Sequence, residues 1–289
     1  MRTPFKGGDA VESGRLTRAR LRSRYRSIFR GVYLPLDHDV ALRDRIRGAA
    51  LAVPNGVIGG VAASALYRAK WVDDDIPIDV FGACRRQDGL VIRRDVLPDD
   101  EVTTVNGIRV TTCSRTAFDL ARNLPRDAGV ARLDALMNAA PFELDDVFLL
   151  AKRHRGARGL VALRKALPLV DGGAESPPES RLRLLFTDAG LPRPTTQYVV
   201  YNEFGQYVRR IDMVWEEFKV GAEYDGLQHL TERRQYAMDV WVNRELQRMK
   251  WHVTHVIKED NGDAIVRDVR RALLERGWSG RLWVASRRD

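Results

Sequence analysis

The order of helix and strand patterns over residues 179 to 277 constrains the fold more than any other feature of the chain. A helical pattern ending at Gly190 is followed by three runs of strand-forming residues, which predict an antiparallel meander. A long helical pattern, a fourth strand and a last helix complete the order α-β-β-β-α-β-α. The predicted bounds are 179–190, 196–201, 207–215, 219–225, 231–249, 252–258 and 264–277.

Acidic residues occur inside two of these strands. Asp212 lies between Ile211 and Met213, while Glu223 and Asp225 are two positions apart and therefore point to the same face of their strand. Carboxylates on neighbouring strands repel one another unless a cation joins them, and Mg²⁺ prefers oxygen ligands. The pattern predicts a metal site, with two solvent-facing acids and one salt-bridged aspartate as the alternative.

The run RIDMVWEEFKVGAEYDGLQH resembles the PD-(D/E)XK endonuclease superfamily, and within it the branch similar to very-short-patch-repair (Vsr) endonucleases. The resemblance covers residues 175 to 280 and implies a restriction-endonuclease-like domain that hydrolyses DNA phosphodiester bonds with Mg²⁺ or Mn²⁺. It implies that Asp212 is the central metal ligand and that Glu223 and Asp225 complete or orient the metal shell.

The same resemblance assigns three further residues. Glu179 adds a carboxylate from the first helix, and His229 holds or deprotonates water. Arg244 contacts the scissile phosphate or pairs with Asp239. The lysine that the superfamily usually carries is replaced by Asp225, so an inactive DNA-binding descendant stays open as an alternative.

The N-terminal zone, residues 1–40, is strongly basic, with seven arginines and no acid between Arg15 and Arg30. A short helix ending at Gly14, a basic helix capped by Thr17 and one strand bent at Gly31 are the order of a small winged helix-turn-helix. An arginine-rich solvated surface on a helical hairpin is the alternative.

The middle zone, residues 41–170, predicts an α+β unit. Its patterns include helices at 41–53 and 60–70, an Asn106-Gly107 hairpin turn and a helix capped by Ser114. The stretch from residue 48 to 67 has no charged residue but contains a Pro-Asn-Gly turn. In a lipid bilayer the backbone groups of such a turn would lack hydrogen bonds, so we do not expect a membrane span. We expect two helices packed on each other in a soluble core.

The segments FRGVYLP, VIGGVAASALYR and IRVTTCSRTAFDLAR resemble AbiEi-type antitoxins across residues 8 to 165. That resemblance implies a winged helix followed by a regulatory domain, promoter binding, autoregulation and a cognate toxin as partner. The arginines expected to bind double-stranded DNA are Arg18, Arg20, Arg22, Arg24, Arg26 and Arg30.

Composition agrees with a multidomain α+β protein made of domains 1–40, 41–170 and 171–289. The formal charge is +9, which fits a polyanionic partner, and two isolated cysteines suggest a reducing cytoplasm. The leading interpretation is a DNA-binding protein with a metal-dependent endonuclease domain. The alternative is a non-enzymatic antitoxin or transcriptional regulator that carries an inactive nuclease fold. The sequence leaves the oligomeric state open.

Overall fold

The computed structural model describes residues 3–226 and 233–281, with side chains described throughout except at 233–237. The chain divides into two compact units, Met1–Leu167 and Pro168–Asp289. The predicted boundary between 170 and 171 lies three residues from this division. The structure shows no separate core on either side of the predicted boundary after residue 40, because Phe29 and Val32 pack in the same core as Leu42 and Ile46.

The first unit combines two sheets with surrounding helices. Its helices are α1 (Gly7–Glu12), α2 (Arg18–Arg24), α3 (Leu42–Ala52), α4 (Gly60–Leu66), α5 (Cys113–Asn123), α6 (Arg126–Ala139), α7 (Leu144–Arg153) and α8 (Leu160–Ala166). Its strands are β1 (Phe5–Lys6), β2 (Tyr25–Phe29), β3 (Val32–Pro35), β4 (Val57–Gly59), β5 (Ile78–Phe81), β6 (Leu90–Arg93), β7 (Val102–Val105) and β8 (Ile108–Thr111). The strand orders are β1-β3-β2 and β6-β5-β4-β8-β7.

The N-terminal segment follows the sequence prediction in its helices but not in its strand. The Thr17 hydroxyl accepts a hydrogen bond of 3.2 Å from the amide of Arg20, which confirms the predicted cap. The predicted single bent strand is wrong. Gly31 has a φ of +76°, and this turn folds β2 back onto β3 as an antiparallel hairpin.

Local signals explain most of the rest of the first unit. Asn106 and Gly107 have φ angles of +50° and +76°, which confirms the predicted hairpin between β7 and β8. The predicted cap at Ser114 is wrong, because the Thr112 hydroxyl accepts a hydrogen bond from the amide of Arg115 and α5 begins at Cys113, two residues before the predicted start. Between α3 and α4 the chain forms β4, a fully buried strand that the small-residue pattern did not reveal.

No helix among the described residues is long and apolar enough to cross a membrane. The uncharged stretch 48–67 instead contributes to α3, β4 and α4.

The second unit contains one four-stranded sheet with helices on both faces. Its elements are α9 (Pro177–Asp188), β9 (Thr195–Tyr201), β10 (Tyr207–Trp215), β11 (Val220–Tyr224), α10 (Arg233–Arg248), β12 (His252–Val256) and α11 (Gly262–Glu275). The strand order is β12-β11-β10-β9, with β12 parallel to β11 and the other pairs antiparallel. The predicted order of elements is therefore found.

Two apolar clusters fix the helices on this sheet. Phe186 of α9 and Leu273 of α11 pack in one cluster with Met213, whereas Val242 of α10 packs in another with Val214. Met213 and Val214 are adjacent in β10, so their side chains point to opposite faces of the sheet. This two-sided packing buries the strands that carry the acidic residues.

Candidate functional site: an acidic cluster and a basic N-terminal surface

The acidic cluster of the second unit begins where α9 approaches β9 and β10. The Gln197 side-chain amide Nε2 lies 3.0 Å from Glu179 Oε2 and 3.2 Å from Asp212 Oδ1. Gln197 has a φ of +52° within a strand, a left-handed conformation that costs a residue with a side chain about 1–2 kcal/mol. The strained backbone places the amide between two carboxylates that come from different elements.

Burial governs the acid–base properties of these two carboxylates. Desolvation raises the pKa of Asp212 above its ordinary value, although the Tyr224 amide donates to Oδ2 at 2.9 Å and Gln197 also donates. Desolvation raises the pKa of Glu179 in the same way, with Asp212 contributing repulsion. A cation bound beside these carboxylates would therefore favour their charged form and lower the pKa of both.

Glu223 on β11 is the most deeply buried acid of the cluster, with 4% of its surface exposed. Burial raises its pKa, and the partner that opposes this effect is Arg209, whose Nε donates to Oε1 at 2.6 Å. Arg209 Nη2 also lies 2.6 Å from Oε2, so both oxygens of this buried carboxylate face the same guanidinium group.

His255 joins the cluster from β12. The parallel register sets His255 directly beside Glu223, and His255 Nδ1 lies 3.0 Å from Asp225 Oδ2 and 3.6 Å from Glu223 Oε2. One donor atom from each of these three residues lies within 4.8 Å of the other two. Sequence reasoning missed His255, because only the pairing of β12 with β11 brings it beside residues some thirty positions earlier.

The predicted site residues have different outcomes. Glu179, Asp212, Glu223 and Asp225 lie in one region, but the three-residue group with metal-ligand spacing contains His255 and not Asp212. Asp239 Oδ1 lies 3.9 Å from Arg209 Nη1, and no ion pair joins it to Arg244 in the part of the chain that the structure describes. His229 lies outside the described residues.

The donor set fits a divalent cation. Glu179, Asp212, Glu223 and Asp225 offer carboxylate oxygens, and His255 offers a ring nitrogen within 4.8 Å of the donor oxygens of Glu223 and Asp225. Lys219 does not supply the missing lysine, because its ammonium group donates to the carbonyl of Met249 at 3.3 Å. The cluster therefore has ligands that suit a metal, and Lys219 is engaged with Met249 instead of with these ligands.

A second candidate site is the basic surface around α2 in the first unit. Four arginines of this helix are exposed and form no ion pair among the described residues: Arg18, Arg20, Arg22 and Arg24. Arg30 at the end of β2 is also exposed, whereas Arg26 is partly buried and donates to the carbonyl of His38. The predicted basic helix thus keeps its charges free, and Arg26 is the exception because it ties the hairpin to the following loop.

Charge is unevenly divided along the chain. The first 35 residues contain nine Lys and Arg against two Asp and Glu, and residues 168–289 contain 19 of each. The net positive charge therefore belongs to the first unit, chiefly to its N-terminal segment. Long-range attraction of a polyanion depends on such a concentrated field.

A buried ion network lies at the centre of the first unit. Arg115 on α5 is 1% exposed; its Nε donates to Asp119 at 3.0 Å, and its Nη1 contacts Glu101. The guanidinium carbon also lies 5.1 Å from the centroid of the Phe81 ring. His154 is partly buried, with Nε2 2.7 Å from Glu101 Oε1.

The segment that contains this network is similar to a known protein family. Residues 53–169 match the AbiEi antitoxin C-terminal domain. The matched segment begins directly after α3 and contains the five-stranded sheet and helices α4 to α8. The structure is that of a mixed α+β protein with several sheets, which is the fold class that the sequence predicts.

Two curated relatives, both described as uncharacterized proteins of Mycobacterium tuberculosis, come from strains CDC 1551 and H37Rv. Each is 32% identical over 156 residues, which cover 54% of this chain and 57% of the relative. The chain thus spans little more than half the length of the curated relatives it matches. No solved structure matches the chain.

Proposed function

We propose that this protein is a DNA-binding regulator of the antitoxin type and that α2 with the β2–β3 hairpin forms its DNA-binding surface. The proposal rests on the exposed arginines of α2, which form no ion pair with an acid in the part of the chain that the structure describes. An ion pair within the protein would compete with phosphate, and these side chains have no such competitor. The antitoxin family match supports a cognate toxin as the protein partner.

The segment has the parts that a winged helix-turn-helix needs. Helix α1 precedes α2 across a short turn, and β3 pairs with β1 on one side and β2 on the other. In such modules the second helix enters the major groove and phosphate contacts fix its register. Arg18, Arg20, Arg22 and Arg24 are the proposed contacts of α2, and Arg30 is the proposed contact of the hairpin.

DNA affinity tests this proposal. We expect Arg20→Ala with Arg22→Ala to weaken binding of the full chain to a labelled duplex by at least tenfold, because two phosphate contacts are lost. The control is Arg267→Ala with Arg276→Ala, which removes the same charge from exposed positions of the electrically neutral second unit. Equal affinities of the two double variants would exclude α2 as the binding surface.

The acidic cluster favours a second candidate function, hydrolysis of a phosphodiester bond. A divalent ion, when bound, would activate water and neutralise charge on phosphate. Asp212 and Glu223 would hold the ion from β10 and β11, and Glu179 would add a carboxylate from α9. Gln197 would orient Glu179 and Asp212, and Arg209 would balance the charge of Glu223.

Cleavage of supercoiled DNA tests the second candidate. We expect nicking in Mg²⁺ or Mn²⁺ by the wild-type chain and its loss in Asp212→Ala, because a carboxylate of the cluster is removed. Gln228→Ala serves as the control, because it changes the residue next to His229 and none of the four acids. Duplex binding without nicking by any preparation would favour the regulator alone and reject the hydrolase.

A further inference from the structure

The loop between β5 and β6, residues 82–89, lies against the turn of the β2–β3 hairpin. The backbone amide of Arg30, directly after β2, donates a hydrogen bond of 2.8 Å to Gln87 Oε1. Gly89 approaches the same strand so closely that a Cβ atom on it would lie 3.3 Å from Cε1 of Phe29. Two contacts therefore hold this segment, the β5–β6 loop, beside the hairpin of the proposed DNA-binding surface.

The ends of the β5–β6 loop are fixed in the core of the first unit. Leu90, which follows the loop, is buried in the cluster that contains Phe29, and Cys84 packs against that cluster. The amide of Ile78 also donates to the carbonyl of Gly89 at 2.9 Å. A loop that is already anchored loses little conformational freedom when its exposed side chains bind a ligand. Contacts made from this loop are therefore offset by only a small ordering cost.

Two neighbouring residues of the β5–β6 loop, Arg85 and Arg86, are exposed and form no ion pair among the described residues. Arg86 directly precedes Gln87, so its Cα atom lies about 3.8 Å from the Cα atom of the residue that contacts the hairpin. Asp88 is the one acid of the loop, so two arginines and one aspartate give the loop a net charge of +1. The loop thus adds free guanidinium groups beside the exposed Arg30.

Duplex DNA is the polyanion that suits this arrangement. It carries one negative charge per about 1.7 Å of helix axis, so neighbouring cations on a fixed surface meet several phosphates at once. We propose that Arg85 and Arg86 bind backbone phosphates of the same duplex that α2 and the β2–β3 hairpin bind, beside the contact of Arg30. Phosphate contacts carry no sequence information, so the loop contributes affinity and register.

This interaction rests on the proposed function and extends it to another part of the chain. The β5–β6 loop belongs to residues 53–169, the segment that is similar to the AbiEi antitoxin C-terminal domain. That segment therefore contributes directly to DNA binding, in addition to the winged helix that precedes it.

Binding of the full chain to a labelled random-sequence DNA duplex, measured by fluorescence anisotropy over a range of salt concentrations, tests the proposal. Arg85→Ala with Arg86→Ala, the loop variant, should weaken binding roughly tenfold and reduce the slope of log K against log salt by about 1.8, because two phosphate contacts are lost. Arg85→Lys with Arg86→Lys keeps both charges and should retain the wild-type slope. Gln87→Ala keeps both arginines but removes the acceptor of the Arg30 amide. Its affinity should fall roughly two- to tenfold, the effect of one hydrogen bond, without a change of slope.

Arg155→Ala with Arg158→Ala is the matched control. Both residues are exposed in the connection between α7 and α8 of the same unit. Arg158 lies near the other end of β6, because Arg122 contacts both the carbonyl of Arg158 and the carboxylate of Asp95. The control removes the same charge as the loop variant and should keep the wild-type slope. Both double alanine variants should also keep the wild-type unfolding temperature, because the changed side chains are exposed.

A loop variant with the affinity and slope of the control would overturn the proposal, and so would wild-type affinity in Gln87→Ala. Arg20→Ala with Arg22→Ala, measured on the same duplex, separates this proposal from the proposed function. If that variant weakens binding and the loop variant does not, the proposed function stands and the β5–β6 loop lies outside the DNA interface. If neither variant weakens binding, the proposed DNA-binding surface fails as well.

Discussion

Burial of the Asp212 carboxylate costs the folded chain stability. Its pKa is raised by burial, so its folded-state charge is unfavourable relative to the unfolded chain. We expect Asp212→Asn to raise the free energy of unfolding by about 0.5–2 kcal/mol at pH 7, since asparagine keeps an acceptor for Tyr224 without the charge. Chemical denaturation in the presence of a chelator measures this difference.

The pH dependence of that difference has a defined sign. A carboxyl group with a raised folded-state pKa stabilises most below the ordinary aspartate pKa, and this contribution is lost as pH rises through the raised value. The advantage of Asp212→Asn should therefore be largest at neutral pH and shrink in acid, where the wild-type group is also neutral. An advantage that grows as the pH falls would contradict this account.

At the scale of elements, the charged side chains of α5 are buried in the first unit. Arg115 and Asp119 are both buried, and Arg115 also contacts Glu101 on the segment before β7. We expect Arg115→Met to lower the free energy of unfolding by about 3–5 kcal/mol, because two carboxylates lose a buried partner. Arg153→Ala, a surface variant that also loses contacts with acids, should cost much less in the same denaturation experiment. Equal losses would mean that the buried network does not hold α5.

The elements of the second unit were predictable from the sequence, and the contacts that complete its site were not. Asp212 stands out as an acid within an apolar strand, Glu223 and Asp225 because they share one strand face, and Glu179 only through the nuclease resemblance. His255 and Gln197 do not stand out, since their importance depends on strand pairing and on one left-handed backbone angle. In the first unit, Arg115, Asp119 and Arg122 have the spacing of a solvated helix face, and only the packing of Glu101 and Phe81 reveals that they are buried.

At the scale of the whole molecule, the two units differ in charge. The positive excess lies in residues 1–167, with 29 Lys and Arg against 20 Asp and Glu, and residues 168–289 are balanced. Electrostatic attraction to DNA should therefore come from the first unit, even if the second unit performs chemistry. The charge division therefore agrees with the proposed DNA-binding surface, which lies in the first unit.

Salt dependence of duplex binding tests the proposed DNA-binding surface most directly. The affinity of the full chain should fall as salt rises, and each lost phosphate contact should reduce the slope of log K against log salt by about 0.9. Arg20→Ala with Arg22→Ala should therefore flatten the slope by about 1.8, while Arg267→Ala with Arg276→Ala should leave it unchanged. An unchanged slope in the α2 variant, measured over the same salt range, would contradict the assignment of α2 to the DNA interface.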